Sequence, residues 1–296
     1  PQDPRQFWSY QPPKRPAIPR VNNTGWVLNP IDAFIAAEHQ KRSLTPRPPA
    51  EKATLLRRVT LDLIGLPPTR EELHAFLADD SQKAYEKVVD RLLQSPRYGE
   101  RMAWEWLDAA RYADTDGFQG DPQRTMWPWR DWVIDALNKN MPFDQFTVEQ
   151  IAGDLLPDAT PRQFLATGFN RNHPLNGEGG RIAEESRVDY VVDRVETTGT
   201  VWLGLSIGCG RCHDHKFDPI SQREFYRLYA YFNSIDESGG VDRGGNAKPV
   251  MKIAAPQQAR RIAKLEKQIV ANIPVGRLGE PEEIARCVVF LVSDEA

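Results

Sequence analysis

The stretch "SQKAYEKVVDRLLQSPRYGERMAWEWLDAARYAD" (residues 81–114) decides the fold class. Apolar side chains recur at helical spacing on both sides of a Ser-Pro pair, which predicts two amphipathic helices joined by a short connection. The same pattern repeats along the chain, and the period-two alternation of β-strands is weak throughout. We therefore expect a mainly α fold, an irregular helical array with long Pro/Gly-rich loops and an extended N-terminal arm.

Specific residues mark the helix boundaries. Thr69, followed by Glu72 three residues later, predicts a capping box in which each side chain satisfies a free amide at the helix start. After Asn29-Pro30, a helix is predicted with Ile31, Phe34 and Ile35 at helical spacing. A long helix is predicted over residues 184–208, running directly to Cys209.

Composition shifts divide the chain into four parts. Residues 1–29 are rich in proline, which disfavours regular helix, so we expect an extended arm pinned by Phe7, Trp8, Tyr10 and Trp26. Residues 30–236 form the predicted helical domain, and the glycine-rich residues 237–255 a flexible connection. Residues 256–296 are predicted to form a helical tail.

Charge and hydrophobicity exclude some partners. The 38 Lys and Arg residues against 41 Asp and Glu give a formal charge of -3, so no general attraction to nucleic acid is expected. No apolar run approaches the roughly 20 residues that a membrane-spanning helix needs. We expect neither a nucleic-acid partner nor a membrane span.

The segment "SIGCGRCHDHKFDPIS" (residues 206–221) contains the most specific motif. Covalent haem attachment needs two thiols separated by two residues and a histidine directly after them, and Cys209, Cys212 and His213 meet that requirement. Haem c is therefore the leading prediction, with His173 as a candidate second axial ligand. The alternatives are a redox or disulfide pair, a zinc site that adds His213 or His215, and a buried structural pair.

Acidic residues are concentrated in two loops. Asp114 and Asp116 lie in one loop, and Glu178, Glu184 and Glu185 lie in or next to the other. Carboxylates at alternate positions beside glycine can bind a hard cation, so Asp114 and Asp116 are candidate calcium ligands. The five carboxylates are also candidate acid and base groups of a hydrolase acting on esters or carbohydrate. Helix caps and solvated turns are the competing interpretation.

The chain over about residues 7–236 resembles the planctomycete-type, cytochrome-c-associated domain of unknown function 1549. The resemblance depends on the following stretches: "WSYQPPKRPAIP", "NPIDAFI", "LLRRVTLDLIGLPPT", "YEKVVDRLLQSPRYGERMAWEWLDAARYADTDGF", "NRNHPLNGEGG" and "DRVETTGTVWLGLSIGCGRCHDHKFDPISQREFYRLYAYF". It implies an exported, periplasmic setting and a redox partner protein or flanking cytochrome module. The family's activity is itself unassigned, so enzymatic activity stays open.

The C-terminal stretch "IPVGRLGEPEEIARCVVFLVSDEA" (residues 273–296) is similar to short-chain dehydrogenases of the acetoacetyl-CoA reductase type. Those enzymes need a glycine-rich turn for the dinucleotide, which this stretch does not contain. We expect a fused fragment, joined near residues 264–272, that mediates self-association and does not transfer hydride.

Three functions follow as hypotheses. The first is an exported haem-carrying domain for electron transfer or other redox chemistry. The second is a metal- or carboxylate-dependent hydrolase. The third is a non-catalytic binding module in which Cys209 and Cys212 form a disulfide.

Overall fold

The computed structural model describes residues 3–118, 120–240, 245–254 and 256–271. These residues form eleven α-helices and no strand, apart from one isolated bridge between Thr115 and Gln123, so the predicted mainly α fold is confirmed. The helices are α1 (Pro30–Lys41), α2 (Lys52–Ile64), α3 (Arg70–Ala78), α4 (Ala84–Leu93), α5 (Pro96–Ala109), α6 (Trp127–Asn138), α7 (Phe143–Ala152), α8 (Pro161–Ala166), α9 (Ala183–Thr198), α10 (Gln222–Phe232) and α11 (Pro256–Ala271).

Side-chain caps fix the start of several helices. The Thr69 hydroxyl accepts from the Glu72 amide and the Glu72 carboxylate accepts from the Thr69 amide, which confirms the predicted capping box. Asn29, Thr160 and Ser221 make the same reciprocal arrangement at α1, α8 and α10. Each cap satisfies amides that have no partner inside the helix.

Three of the four buried apolar clusters of the described residues join helices to one another. The first lies between α2, α3 and α4 around Leu56, Phe76 and Leu92. The second is aromatic and joins α5 to α8, with Trp129 and Trp132 almost completely buried. The third packs α9 against α10 through residues such as Val195 and Phe225, and it carries the segment that contains the Cys-x-x-Cys-His motif.

The prediction of one long helix that reaches Cys209 is wrong. Helix α9 ends at Thr198, and a single π turn follows over Gly199–Leu203. Gly204 then adopts φ +65°, a left-handed conformation that L side chains rarely adopt, and this stops the helix. A separate 3-10 turn, Ile207–Arg211, then contains the first three residues of the motif, and Cys212 follows as its C-cap.

Helix α1 buries a different face from the one that its larger apolar residues suggest. Its buried residues are Ala33 and Ala36, whereas Ile31, Phe34 and Ile35 are exposed. The buried side of α1 is therefore lined by small side chains, and its larger apolar residues lie on the exposed side.

Over residues 3–29, which the structure describes, the N-terminal arm contains two short 3-10 turns, Pro4–Gln6 and Trp8–Tyr10, and no α-helix. Two of its four predicted anchors are engaged: the Tyr10 hydroxyl donates to Asp218 at 2.8 Å, and the Trp26 ring packs on His39. Phe7 and Trp8 are exposed, so they do not pin the arm.

The chain divides into two compact units, Pro1–Pro249 and Val250–Ala296. Within the first, the glycine-rich segment is held by direct contacts: Asn246 pairs with the main chain of Thr125, and Arg171 donates to the carbonyls of Ala247 and Lys248. The second unit contains α11, while the dehydrogenase-like tail and Cys287 lie outside the described residues. None of the described helices is both long and apolar enough to cross a membrane.

Candidate functional site

The Cys-x-x-Cys-His motif forms one tight turn on the surface. The carbonyl of Cys209 accepts from the amides of Cys212 and His213 at 3.2 and 3.3 Å. Gly210 in the middle of the turn lies against Phe225 of α10, where an added Cβ would come within 2.9 Å of the Phe225 Cβ. The turn is therefore seated directly on the third apolar cluster.

Helix α10 also anchors the turn through polar contacts. The carbonyl of Arg211 accepts from the Tyr226 hydroxyl at 3.0 Å and from the Gln222 amide side chain at 3.2 Å. The carboxylate of Asp214 accepts from the main-chain amide of Gln222 at 2.7 Å. These bonds fix the backbone of the motif without using its thiols or its first imidazole.

Both thiols of the motif are free. Cys209 and Cys212 are exposed and do not form a disulfide with each other. Each can therefore be reached by a reactive group from solvent, which covalent attachment requires.

The imidazole of His213 has the tautomer that a metal ligand needs. It is exposed, and its Nδ1 lies 2.7 Å from the carbonyl oxygen of Asp214. A carbonyl only accepts, so Nδ1 carries the proton and the lone pair of the neutral ring is on Nε2. Histidine ligands commonly donate their second ring N–H to a main-chain carbonyl in this way. The residues present therefore fit a c-type haem.

His215 has a different role in the same loop. Its Nδ1 accepts from the amides of Phe217 and Asp218 at 3.3 and 2.8 Å, so in the neutral ring the proton is on Nε2. The side chain is 6% exposed, and the Asp218 carboxylate lies 3.4 Å from Nδ1. Because Nδ1 already accepts main-chain N–H groups, this contact is not an ion pair. The hydrogen bonds to its Nδ1 therefore stabilise the loop. In this arrangement the imidazole of His215 has no free lone pair for zinc.

A buried network of charged side chains includes Arg171 of the loop "NRNHPLNGEGG" (residues 170–180). Arg194 of α9 donates both terminal nitrogens to the carboxylate of Glu237 at 2.5 and 2.6 Å, and Arg171 donates to the same carboxylate at 2.9 Å. The side chains of Arg194 and Glu237 are 2% and 3% exposed. The Arg194 Nε also donates to the carbonyl of Asn170 at 2.8 Å. These bonds tie three distant segments together.

His173 belongs to this network. Its Nε2 lies 2.8 Å from a terminal nitrogen of Arg194, its Nδ1 lies 3.0 Å from the carbonyl of Pro174, and its ring stacks on Tyr190. Burial, followed by the positive charges of Arg194 and Arg171, holds the pKa of His173 well below its usual value. Both ring nitrogens are engaged, so iron ligation by His173 stays a prediction that would require its bond to Arg194 to break.

Sequence reasoning missed Arg171, Arg194 and Glu237. One signal was present: Arg194 lies between Val191 and Val195 on the apolar side of α9, where a charged residue indicates a buried partner. The partner could not be identified, because Glu237 lies in a segment whose glycine content suggests a flexible connection.

The carboxylate of Asp114 is fully hydrogen-bonded within the protein. Its Oδ1 accepts from the amides of Met126 and Trp127 at 2.7 and 2.8 Å, and its Oδ2 accepts from the Tyr112 hydroxyl. Burial and this bond raise the pKa of Tyr112 to about 12. Asp114 therefore caps the start of α6, and neither carboxylate oxygen is without a partner.

Asp116 differs from Asp114 in having no hydrogen-bond partner. It is 1% exposed, and neither of its carboxylate oxygens has a hydrogen-bond partner. Burial raises its pKa above the usual value. An unpaired buried carboxylate is rare and indicates a missing partner.

The three glutamates lie at the surface. Glu178, Glu184 and Glu185 are exposed, and Glu184 is paired with Arg187. Across the part of the chain that the structure describes, no three or more His, Cys, Asp and Glu side chains form a group able to hold a metal ion. The hydrolase and zinc hypotheses therefore gain no support from this arrangement and stay predictions.

Comparison with known proteins shows the family. A family model described as "Protein of unknown function (DUF1549)" matches residues 30–237, which is more than half of the chain. This chain belongs to the DUF1549 family. The match includes the motif turn, the "NRNHPLNGEGG" loop and all three residues of the buried ion network, since Glu237 is its last residue. No solved structure matches the DUF1549 chain.

A second similarity is confined to a short C-terminal fragment. Two acetoacetyl-CoA reductases, from Rhizobium meliloti (strain 1021) and Shinella zoogloeoides, are each 72% identical to this chain over 32 residues. The match covers 11% of this chain and 13% of each reductase. This confirms the resemblance of the tail and carries no activity with it.

Proposed function

We propose that this DUF1549 chain is an exported helical domain that binds haem c covalently through Cys209 and Cys212, with His213 as axial ligand, for electron transfer. The observation that carries the proposal is the state of the motif: two free, exposed thiols and an exposed imidazole whose Nε2 is available. A bound haem would supply a one-electron couple.

The hydrogen bonds around the motif support this assignment because they leave the two thiols and the Nε2 of His213 free. Tyr226 and Gln222 bind the carbonyl of Arg211, and Asp214 keeps the proton of His213 on Nδ1. The loop is thus held by groups other than the two thiols and the Nε2 that attachment would use. The periplasmic setting and a redox partner protein or flanking cytochrome module follow from the family resemblance and belong to the same proposal.

The test is a pyridine haemochrome spectrum of the full chain, produced together with a c-type haem maturation system. We expect an absorbance band from haem that stays with the denatured polypeptide, because thioether links survive unfolding. Cys209→Ser combined with Cys212→Ser should abolish that band. Cys287→Ser, which removes the remaining cysteine of the sequence, is the matched control and should retain it.

Two results would contradict the proposal. One is a wild-type protein that folds and carries no covalent haem although the maturation system loads a known cytochrome in the same cells. The other is equal haem content in the double variant and the Cys287→Ser control. Signal-dependent export is checked separately, by fractionating cells of the native host with an antibody to the chain.

A further inference from the structure

An open groove lies between residues 252–254 and helix α11, within the second compact unit. Its volume is about 500 Å³. Ile253, Ile262 and Leu265 line it and are 40%, 46% and 46% exposed. Lys252 and Arg261 line the same groove. Apolar side chains and two cations therefore face one common space, which we call the α11 groove.

The apolar surface extends beyond the α11 groove. Val250 and Met251, directly before the lining residues, are 54% and 46% exposed. On α11, Ile262 and Leu265 are three positions apart, so they lie on the same face of the helix. A concentration of exposed apolar side chains on a folded protein marks an interaction site.

Basic residues accompany this apolar surface. Residues 250–271 contain five basic residues and one acidic residue, a net charge of +4, whereas the whole chain carries -3. On α11, three of the basic residues recur at positions i, i+4 and i+7, on the face opposite to Ile262 and Leu265. All five basic residues are exposed: Lys252, Arg260, Arg261, Lys264 and Lys267. The balance of the whole chain hides this local positive charge.

An anionic lipid surface matches both features at once. A basic amphipathic helix lies in the membrane interface, with its apolar face among the acyl chains and its Lys and Arg side chains at the anionic head groups. A nucleic acid would bind the cations but leave the apolar side chains in water. A second copy on the same face would bring together two segments of net charge +4, which repel each other.

We propose that residues 250–271 bind the surface of a membrane that contains anionic phospholipid. Ile253, Ile262 and Leu265 contact the acyl chains, and Lys252 and Arg261 beside them bind lipid phosphates. The helix lies along the surface, because its cationic face stays at the head groups. The proposal is independent of haem, since none of these residues belongs to the Cys-x-x-Cys-His turn.

The test is flotation of the full chain, without haem, with vesicles of phosphatidylcholine alone or of equal parts phosphatidylcholine and phosphatidylglycerol. We expect the wild type to bind the mixed vesicles and to leave the neutral ones free. Arg260→Gln combined with Arg261→Gln should weaken binding by roughly tenfold or more, because each cation at an anionic surface adds to the affinity. Arg57→Gln combined with Arg58→Gln, an exposed arginine pair on α2, is the matched control and should bind like the wild type.

A second pair of variants tests the apolar contact without changing charge. Ile262→Gln combined with Leu265→Gln should also weaken binding to the mixed vesicles. Ile31→Gln combined with Ile35→Gln, on the exposed side of α1, is the matched control. All four side chains are exposed, so thermal unfolding should give a Tm close to that of the wild type for both variants.

Three results would overturn the proposal. The first is a wild type that stays out of the vesicle fraction with both lipid mixtures. The second is binding by either α11 variant that equals its matched control, since insertion needs the apolar and the cationic residues together. The third is a dimer, detected by light scattering without vesicles, that the Ile262/Leu265 variant loses, which would identify a second copy as the occupant of the α11 groove.

Discussion

Arg194 and Glu237 form a two-point ion pair across 43 residues of sequence, with both side chains almost completely buried. Arg171 adds a third bond to the same carboxylate, so two guanidinium groups share one carboxylate in the interior. This pair joins α9 to the glycine-rich segment that follows α10. It also holds the imidazole of His173 in place, because the same Arg194 nitrogen contacts both groups.

Replacing Glu237 should destabilise the fold strongly. Glu237→Gln removes the only carboxylate that Arg194 and Arg171 contact within hydrogen-bond distance among the described residues, and it leaves two buried charges without a counter-charge. Breaking one side of a buried pair costs about 3–5 kcal/mol. The free energy of unfolding in urea measures the loss. Glu184→Gln breaks an exposed pair with Arg187 and should cost much less, because solvent screens exposed pairs, so equal losses in the two variants would contradict the buried role.

His173 should make stability depend on pH. Its pKa is lowered by burial and by Arg194 and Arg171, so the folded state keeps it neutral where the unfolded chain binds a proton. Its contribution is therefore complete above about pH 6.5 and is lost as the pH falls, at about 1.4 kcal/mol per pH unit. His173→Gln removes this part of the pH dependence between pH 7 and pH 5, measured as unfolding free energies.

Exposed His74 provides the control for that experiment. His74→Gln should leave the wild-type pH profile unchanged. Acid titration of carboxylates affects all three proteins equally, so the difference between profiles isolates His173. Parallel profiles for wild type and His173→Gln would show that the imidazole is not buried as a neutral group.

Asp114 should behave as a helix cap. Asp114→Ala leaves the amides of Met126 and Trp127 and the hydroxyl of Tyr112 without their acceptor, at a cost of about 2–3 kcal/mol. Asp144→Ala, in the exposed first turn of α7, should change the unfolding free energy by less than about 0.5 kcal/mol. A catalytic Asp114 would instead predict lost activity with little loss of stability.

Gly239 should tolerate no side chain. It has φ +66°, and an added Cβ would lie 1.9 Å from the carbonyl oxygen of Ala183 and 2.6 Å from the amide nitrogen of Arg187. Gly245 has φ +87° with nothing within 4 Å, so Gly245→Ala measures backbone strain alone, about 1–2 kcal/mol. Gly239→Ala adds a clash with main-chain atoms worth about 1–3 kcal/mol more. Equal melting temperatures for the two variants would contradict this close packing.

Helix prediction succeeded where the signal was local. The capping box at Thr69 and the helix after Asn29 are where spacing and caps place them. It failed at α9, where the apolar pattern continues through "TVWLGLSIG" although the helix ends at Thr198. Helical and 3-10 turns both bury apolar residues on the third cluster, so the pattern does not distinguish them.

The candidate site was partly predictable. Cys209, Cys212 and His213 are adjacent in sequence, so their proximity needed no tertiary information. Asp114 and Asp116, grouped by sequence as candidate calcium ligands, have different surroundings in the structure: Asp114 caps α6, and Asp116 is buried without a hydrogen-bond partner. Two aspartates at alternate positions of a loop have the same functional group, but their surroundings can differ. The hydrogen-bond donors near each carboxylate come from other segments of the chain, which the local pattern does not reveal.

The sequence by itself determined the mainly α fold, the helix starts and the thiol-histidine motif. Helix periodicity and caps depend on contacts within about four residues, which the order of residues specifies directly. Only the tertiary structure decided which charges are buried and which ring nitrogen carries the proton in His213 and in His215. Glu237 meets Arg194 and Arg171 across 43 and 66 residues, and the protons of His213 and His215 are placed by main-chain groups of the folded loop.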